Sequence, residues 1–194
     1  SGRTGGGGMR VIAGRLGGRQ LLAPKGWKVR PTSERVREAI FSALGDIGGM
    51  RVADLYCGTG ALGIEAISRG AGPAVLVDRE TRPAMGNVHN LGLTGEAELV
   101  RAEAPEWIAN VPDGSFDLVF LDPPYRDATR IAGELDPHLA RILAPGGRVI
   151  AESDRRGPLE FPSLETVRER RYGRTVVTFH RVPSQPPQDP TGTE

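Results

Sequence analysis

From residue 50 onward, strand-like and helix-like stretches alternate, and that alternation limits the possible folds more than any other feature. Segments 51–56, 74–78, 97–101, 116–122 and 148–152 are short apolar runs with the length of buried strands. The intervening segments 61–69, 81–91, 105–111 and 131–143 read as helices, with Pro145-Gly146-Gly147 as a turn before the fifth strand. Strand–helix repeats of this kind predict a doubly wound, mostly parallel sheet with right-handed crossovers. The last two runs, 164–171 and 175–182, flank Tyr172-Gly173-Arg174 and read as an antiparallel hairpin that brings the sheet to seven strands.

The first strand–helix junction reads Asp54-Leu55-Tyr56-Cys57-Gly58-Thr59-Gly60-Ala61-Leu62-Gly63. Gly58, Gly60 and Gly63 satisfy GxGxxG, which taken alone suggests a dinucleotide. Asp54 argues otherwise. A carboxylate at that strand end repels a pyrophosphate and attracts the ammonium of a methionyl group. Asp78 closes the second strand, where an open α/β sheet meets a ribose, and it disfavours a phosphate there. After the third strand comes Glu103, which suits either the adenine amino group or the dipole of the helix that begins there. Tyr56, Cys57, Arg79 and Ala104 flank these positions and complete the expected contacts for S-adenosylmethionine.

The fourth strand runs into Asp122-Pro123-Pro124-Tyr125, on the sheet edge where ligands bind. The exocyclic amine of a base is a poor nucleophile because its lone pair is conjugated with the ring. Two acceptors, the Asp122 carboxylate and the Pro123 carbonyl, can hold both amine hydrogens and turn the lone pair toward a methyl sulfonium. Proline carries no N–H, so this turn offers acceptors in a shape fixed in advance. Tyr125 offers a flat face for stacking. Asp122 is expected to serve acceptor and cofactor alike. A base inside a duplex cannot reach such a pocket, so a single-stranded, looped or flipped substrate is implied.

Charge is unevenly spread. Residues 1–38 hold nine basic and two acidic side chains, a surplus of +7, whereas the remainder holds 16 basic and 22 acidic, or −6. A basic arm on a mildly acidic body suits a nucleic-acid contact. Within it, the segment from Arg10 to Leu22 reads as a β-hairpin around Gly14, Gly17 and Gly18. Thr32 or Ser33 is placed to cap a helix whose Val36, Ile40, Phe41 and Leu44 share one face. A flexible leader is expected over 1–8 and a disordered tail over 183–194, framing a basic hairpin-and-helix unit (9–48) and a catalytic domain (49–182). The single cysteine, Cys57, excludes an internal disulfide and fits a reducing cytoplasm. Three scattered histidines give no ligand spacing, so no metal is expected, nor is a membrane span; the protein is expected to be monomeric.

Arg30-Pro31-Thr32 through Phe41, the Asp54–Gly60 loop, Asp122-Pro123-Pro124-Tyr125 and the closing Tyr172-Gly173 hairpin together resemble the RsmD-type methyltransferases over about residues 9–182. The resemblance implies a Rossmann-like class I fold, S-adenosylmethionine as cofactor, and methylation of a guanine N2 in 16S ribosomal RNA. It further implies a small ribosomal subunit or an assembly intermediate as partner, with Arg10, Arg15, Arg19, Arg30, Thr32, Arg35 and Arg37 on the RNA. Glu103 departs from the family, where Asp is more usual. Within the same chemistry, adenine N6 of DNA or RNA and a protein glutamine remain alternative acceptors. An NAD-dependent oxidoreductase rests on GxGxxG alone, and a non-catalytic RNA-binding protein is at odds with Asp122 and the intact glycine loop.

Overall fold

The computed structural model describes residues 8–27 and 31–184, without the side chains of 31–33. Arg30 and nearly all of the expected leader and tail lie outside the described residues. So does the side chain of Thr32.

Seven strands form one sheet: β1 (Val52–Leu55), β2 (Ala74–Asp78), β3 (Ala97–Arg101), β4 (Phe116–Leu121), β5 (Leu143–Asp154), β6 (Glu165–Tyr172) and β7 (Thr175–Arg181). Their spatial order is β3-β2-β1-β4-β5-β7-β6. The first five run parallel, and β7 enters antiparallel between β5 and β6. The order reverses between β1 and β4, and the crevice beyond the carboxyl ends of those strands is where ligands settle in such sheets.

Both faces of the sheet are covered, which is why its central strands are apolar at successive positions rather than at alternate ones. Val52, Leu118, Phe120 and Ile150 face α1 (Pro31–Leu44), α2 (Ala61–Ser68) and α3 (Arg82–Asn90). Ala53, Leu55, Val119 and Leu121 face α4 (Ala104–Ala109) and α5 (Ala128–Ile142). Met9, Val11, Leu16 and Leu21 of the N-terminal arm are buried in the first of these cores, and Phe41 of α1 packs on Phe120 of β4 with ring centroids 5.6 Å apart. The arm and α1 therefore cover the sheet directly.

Four details differ from the sequence reading. The arm turns back on itself but makes only one bridge, Arg10 to Gln20, instead of a paired hairpin. Its backbone donors are used by the body: Ile12 N–H donates to Glu65, Leu16 N–H to Ser68 Oγ and Leu22 N–H to Asn87 Oδ1. Helix α1 begins at Pro31, a residue suited to the first helical position, so Thr32 and Ser33 fall within its first turn. Pro145-Gly146-Gly147 lies inside β5, where the register against β4 slips between Phe116 and Leu118. That is a bulge, which Gly146 permits at a φ of 77°. Finally, a single 3-10 turn, Tyr125–Asp127, leads into α5 earlier than its apolar periodicity indicates.

Candidate active site

β1 ends at Leu55, and the chain then turns sharply through Tyr56, held at φ 62°, a left-handed conformation uncommon for any residue but glycine. Gly58 and Gly60 continue the turn at φ 55° and 80°. At Gly58 and Gly60 glycine is required by conformation, and a Cβ on Gly58 would only touch the Trp27 ring, at 3.4 Å. At Gly63 it is required by space, since a Cβ there would stand 2.2 Å from Leu76 Cδ2. The missing side chain at Gly63 lets α2 lie directly against β2.

Two carboxylates hold the loop. Asp54 Oδ2 accepts the Gly63 N–H at 2.9 Å, and Asp78 Oδ2 accepts the Gly58 N–H at 2.9 Å. Asp78 Oδ1 accepts from Glu80 N–H at 3.0 Å, leaving each of its oxygens a further lone pair for a ribose hydroxyl. Asp54 is buried, and loss of hydration pushes its pKa up to about 7, against the Gly63 hydrogen bond and with a contribution from Asp78. A carboxyl in that condition gains from a cationic ligand. Burial, with Asp54 and Asp78 nearby, pushes the Cys57 thiol up and out of the nucleophilic range. Burial likewise pushes Tyr56 up to about 12, so its phenol stays neutral.

Two cavities open beyond these strand ends. One, of about 310 Å³, has Asp54, Cys57 and Thr59 from the loop, Val36, Arg37 and Ile40 from α1, and Glu152 and Thr175 from β5 and β7. The other, of about 390 Å³, has Val77, Asp78, Arg79, Ala102, Ala104, Pro123 and Pro124. Trp27, Tyr56, Gly58, Asp122 and Tyr125 line both. The second cavity lies over the ends of β2, β3 and β4, and the first extends toward α1. Each is of ligand-binding size.

Asp122 stands where the cavities join. It is open to the solvent in the pocket, yet the surrounding walls withdraw it from bulk water. Its pKa is raised well above the ordinary carboxylate range, first by that desolvation and then by the charges of Glu152 and Asp54. Pro123 is buried behind it, whereas Pro124 and Tyr125 are exposed at the rim.

Glu103 behaves differently from the other acids. It immediately precedes α4, is about half exposed, and pairs with Arg79 at 3.7 Å. Glu103 lines a neighbouring cavity with Pro105 and Glu106, while Ala102 and Ala104 line the second cavity itself. Among the basic residues, Arg10, Arg15, Arg19 and Arg35 are exposed, and Arg10 and Arg15 pair with Glu34 and Glu96. Arg37 is not on that outer face. It is buried, donates to the Arg10 carbonyl at 2.8 Å and lines the first cavity, because it lies on the same side of α1 as Ile40. Among the described residues, no group of three His, Cys, Asp or Glu side chains could hold a metal ion.

Trp27, Glu152 and Thr175 were not identified from the sequence. Trp27 was discoverable as an unexplained aromatic in the arm. Asn87 holds the arm there, donating to the Leu22 and Thr59 carbonyls at 2.9 Å each, so the indole lies over Gly58. Glu152 and Thr175 reach the site through strand pairing, which carries no local sequence mark.

Residues 9–181 match the family described as Conserved hypothetical protein 95. The chain belongs to that family. It is 35% identical over 185 residues to YlbH of Bacillus subtilis, covering 89% of this chain and 98% of that one. It is 36% identical over 126 residues to the Ribosomal RNA small subunit methyltransferase D of Escherichia coli K12, a match that spans 63% of each. The solved structure of Escherichia coli yhhF superposes with a TM-score of 0.77 at 28% identity, over 92% of this chain and 100% of that one. The RsmD-type resemblance and the class I methyltransferase fold both stand on these matches.

Proposed function

We propose that this methyltransferase moves a methyl group from S-adenosylmethionine to the exocyclic N2 amine of a guanine in small-subunit ribosomal RNA. The observation that carries the reading is the junction of the two cavities at Asp122 and Tyr125. A nucleoside-sized groove bordered by Asp78 meets a second pocket at a fixed amine-binding turn.

The residues fit the cofactor. Asp54, raised to about 7 by burial, is the partner for an ammonium, Asp78 for the ribose hydroxyls, and Ala102 and Ala104 form the wall for an adenine. S-adenosylmethionine, when bound, supplies an electrophilic methyl on a sulfonium. Asp122 and the Pro123 carbonyl accept the two amine hydrogens, which orients the nitrogen lone pair for in-line attack. As the C–N bond forms and the S–C bond breaks, the amine becomes cationic, and Asp122 is placed to stabilise it and accept the departing proton. Tyr125, at the rim, stacks on the base.

Ribosomal RNA as the substrate is supported by the likeness to the Escherichia coli Ribosomal RNA small subunit methyltransferase D and by the exposed Arg10, Arg15, Arg19 and Arg35. Those arginines suit phosphate contacts that set register without reading sequence. A ribosomal subunit or assembly intermediate as partner, and a cytoplasmic location, go with this reading. The test is transfer of labelled methyl to small subunits prepared from cells lacking the enzyme, followed by nucleoside mass spectrometry. N2-methylguanosine is expected; N6-methyladenosine in its place overturns the guanine assignment and leaves the amine chemistry.

A further inference from the structure

An amine-holding turn does not by itself separate guanine N2 from adenine N6, since both are –NH2 groups that two acceptors can grip. The atom beside the amine separates them. In guanine it is N1–H, a donor; in adenine it is N1, a lone pair. A site selective for guanine therefore needs one more acceptor next to Asp122.

β4 and β5 pair in parallel with Leu118 opposite Arg148, Phe120 opposite Ile150 and Leu121 opposite Ala151. Continued by one residue, that register sets Asp122 opposite Glu152, on neighbouring strands about 4.8 Å apart. Both belong to the same face as Phe120 and Ile150, and both line the cavity under α1. Glu152 lies on the β5 side of Asp122, away from the glycine loop on β1, and it does not line the nucleoside cavity that holds Asp78. It faces the acceptor.

We propose that Glu152 selects guanine, its carboxylate accepting N1–H while Asp122 and the Pro123 carbonyl hold the N2 amine. This rests on the reading of the pocket as an amine acceptor site. A second observation points the same way. Arg37, in the wall of that cavity, is 97% buried, and its Nη1 has no hydrogen-bond partner among the described residues. Guanine offers a carbonyl oxygen, O6, to a donor there, whereas adenine, with its N6 amine at Asp122 and N1 at Glu152, offers only the C2–H. The edge of adenine meets Glu152 with a lone pair facing a carboxylate, which is repulsive.

Glu152→Gln tests this directly, because the amide keeps the shape and can donate to adenine N1 as readily as it accepts from guanine N1–H. Small subunits are compared that carry guanosine, or by mutation adenosine, at the mapped target position. The unaltered enzyme is expected to methylate only the guanosine form. The Gln variant is expected to lose about 10- to 100-fold in kcat/KM on guanosine. Its preference for guanosine over adenosine should shrink at least about tenfold, with S-adenosylhomocysteine affinity and melting temperature unchanged. An unchanged preference, or a loss of activity matched by a loss of S-adenosylhomocysteine affinity, overturns the assignment and makes Glu152 a structural or cofactor residue. If the unaltered enzyme forms no N2-methylguanosine, the function proposed above falls, and this assignment falls with it.

Discussion

The Asp54 carboxylate accepts the Gly63 amide at 2.9 Å, joining the end of β1 to the first turn of α2 at the edge of the first cavity. That single hydrogen bond does not offset the burial of the charge, and the carboxyl is left with a pKa of about 7. The sign of the consequence follows from linkage. A folded-state pKa above the ordinary value contributes stability at low pH that is lost as pH rises through about 7, so the ligand-free protein weakens across that window. A cationic ligand needs the ionised form. Affinity for S-adenosylhomocysteine, measured by calorimetry, is therefore expected to rise about tenfold from pH 6 to pH 8. Asp54→Asn should abolish that slope and lower affinity about 10- to 100-fold, the worth of a charge-assisted hydrogen bond.

Asp122→Asn keeps the shape of the turn but replaces one acceptor oxygen with a donor. Methyl transfer is expected to fall at least about 100-fold in kcat, while S-adenosylhomocysteine binding falls by no more than about tenfold. Single-turnover transfer beside a binding titration separates the two effects. Full activity in this variant would remove Asp122 from the chemistry.

Gly63 is a packing position, and its test is stability. An alanine methyl there would meet Cδ2 of the fully buried Leu76 at 2.2 Å, so that side chain must repack or α2 must move off β2. Overpacking of this kind costs about 1–3 kcal/mol, and a melting temperature lower by about 3–10 °C is expected for Gly63→Ala. Unchanged melting would mean that Leu76 or the helix adjusts without cost.

Trp27 lines both cavities, and the protein has one other tryptophan, Trp107. Addition of S-adenosylhomocysteine is expected to change the fluorescence of Trp27, and Trp27→Phe to remove that change while keeping binding within about threefold. A signal that survives in the variant belongs to Trp107 and places the ligand elsewhere.

The strand–helix alternation, the glycine loop and the Asp122-Pro123-Pro124-Tyr125 turn are local in sequence, and the sequence alone determined them. Period, chain stiffness and the lack of proline N–H groups act over a few residues, so the sheet, the loop and the character of the acceptor turn could be read directly. Arg37 shows where such reading stops. Its charge marked it as a surface contact, but the packing of α1 on β4 turned it inward. Only the tertiary structure brought Glu152 beside Asp122, 30 residues earlier in the chain, and hung Trp27 over Gly58. The physical reason is common to both. Strand register and the Asn87 clamp are contacts between distant segments, fixed by how whole faces pack, and no local pattern encodes them.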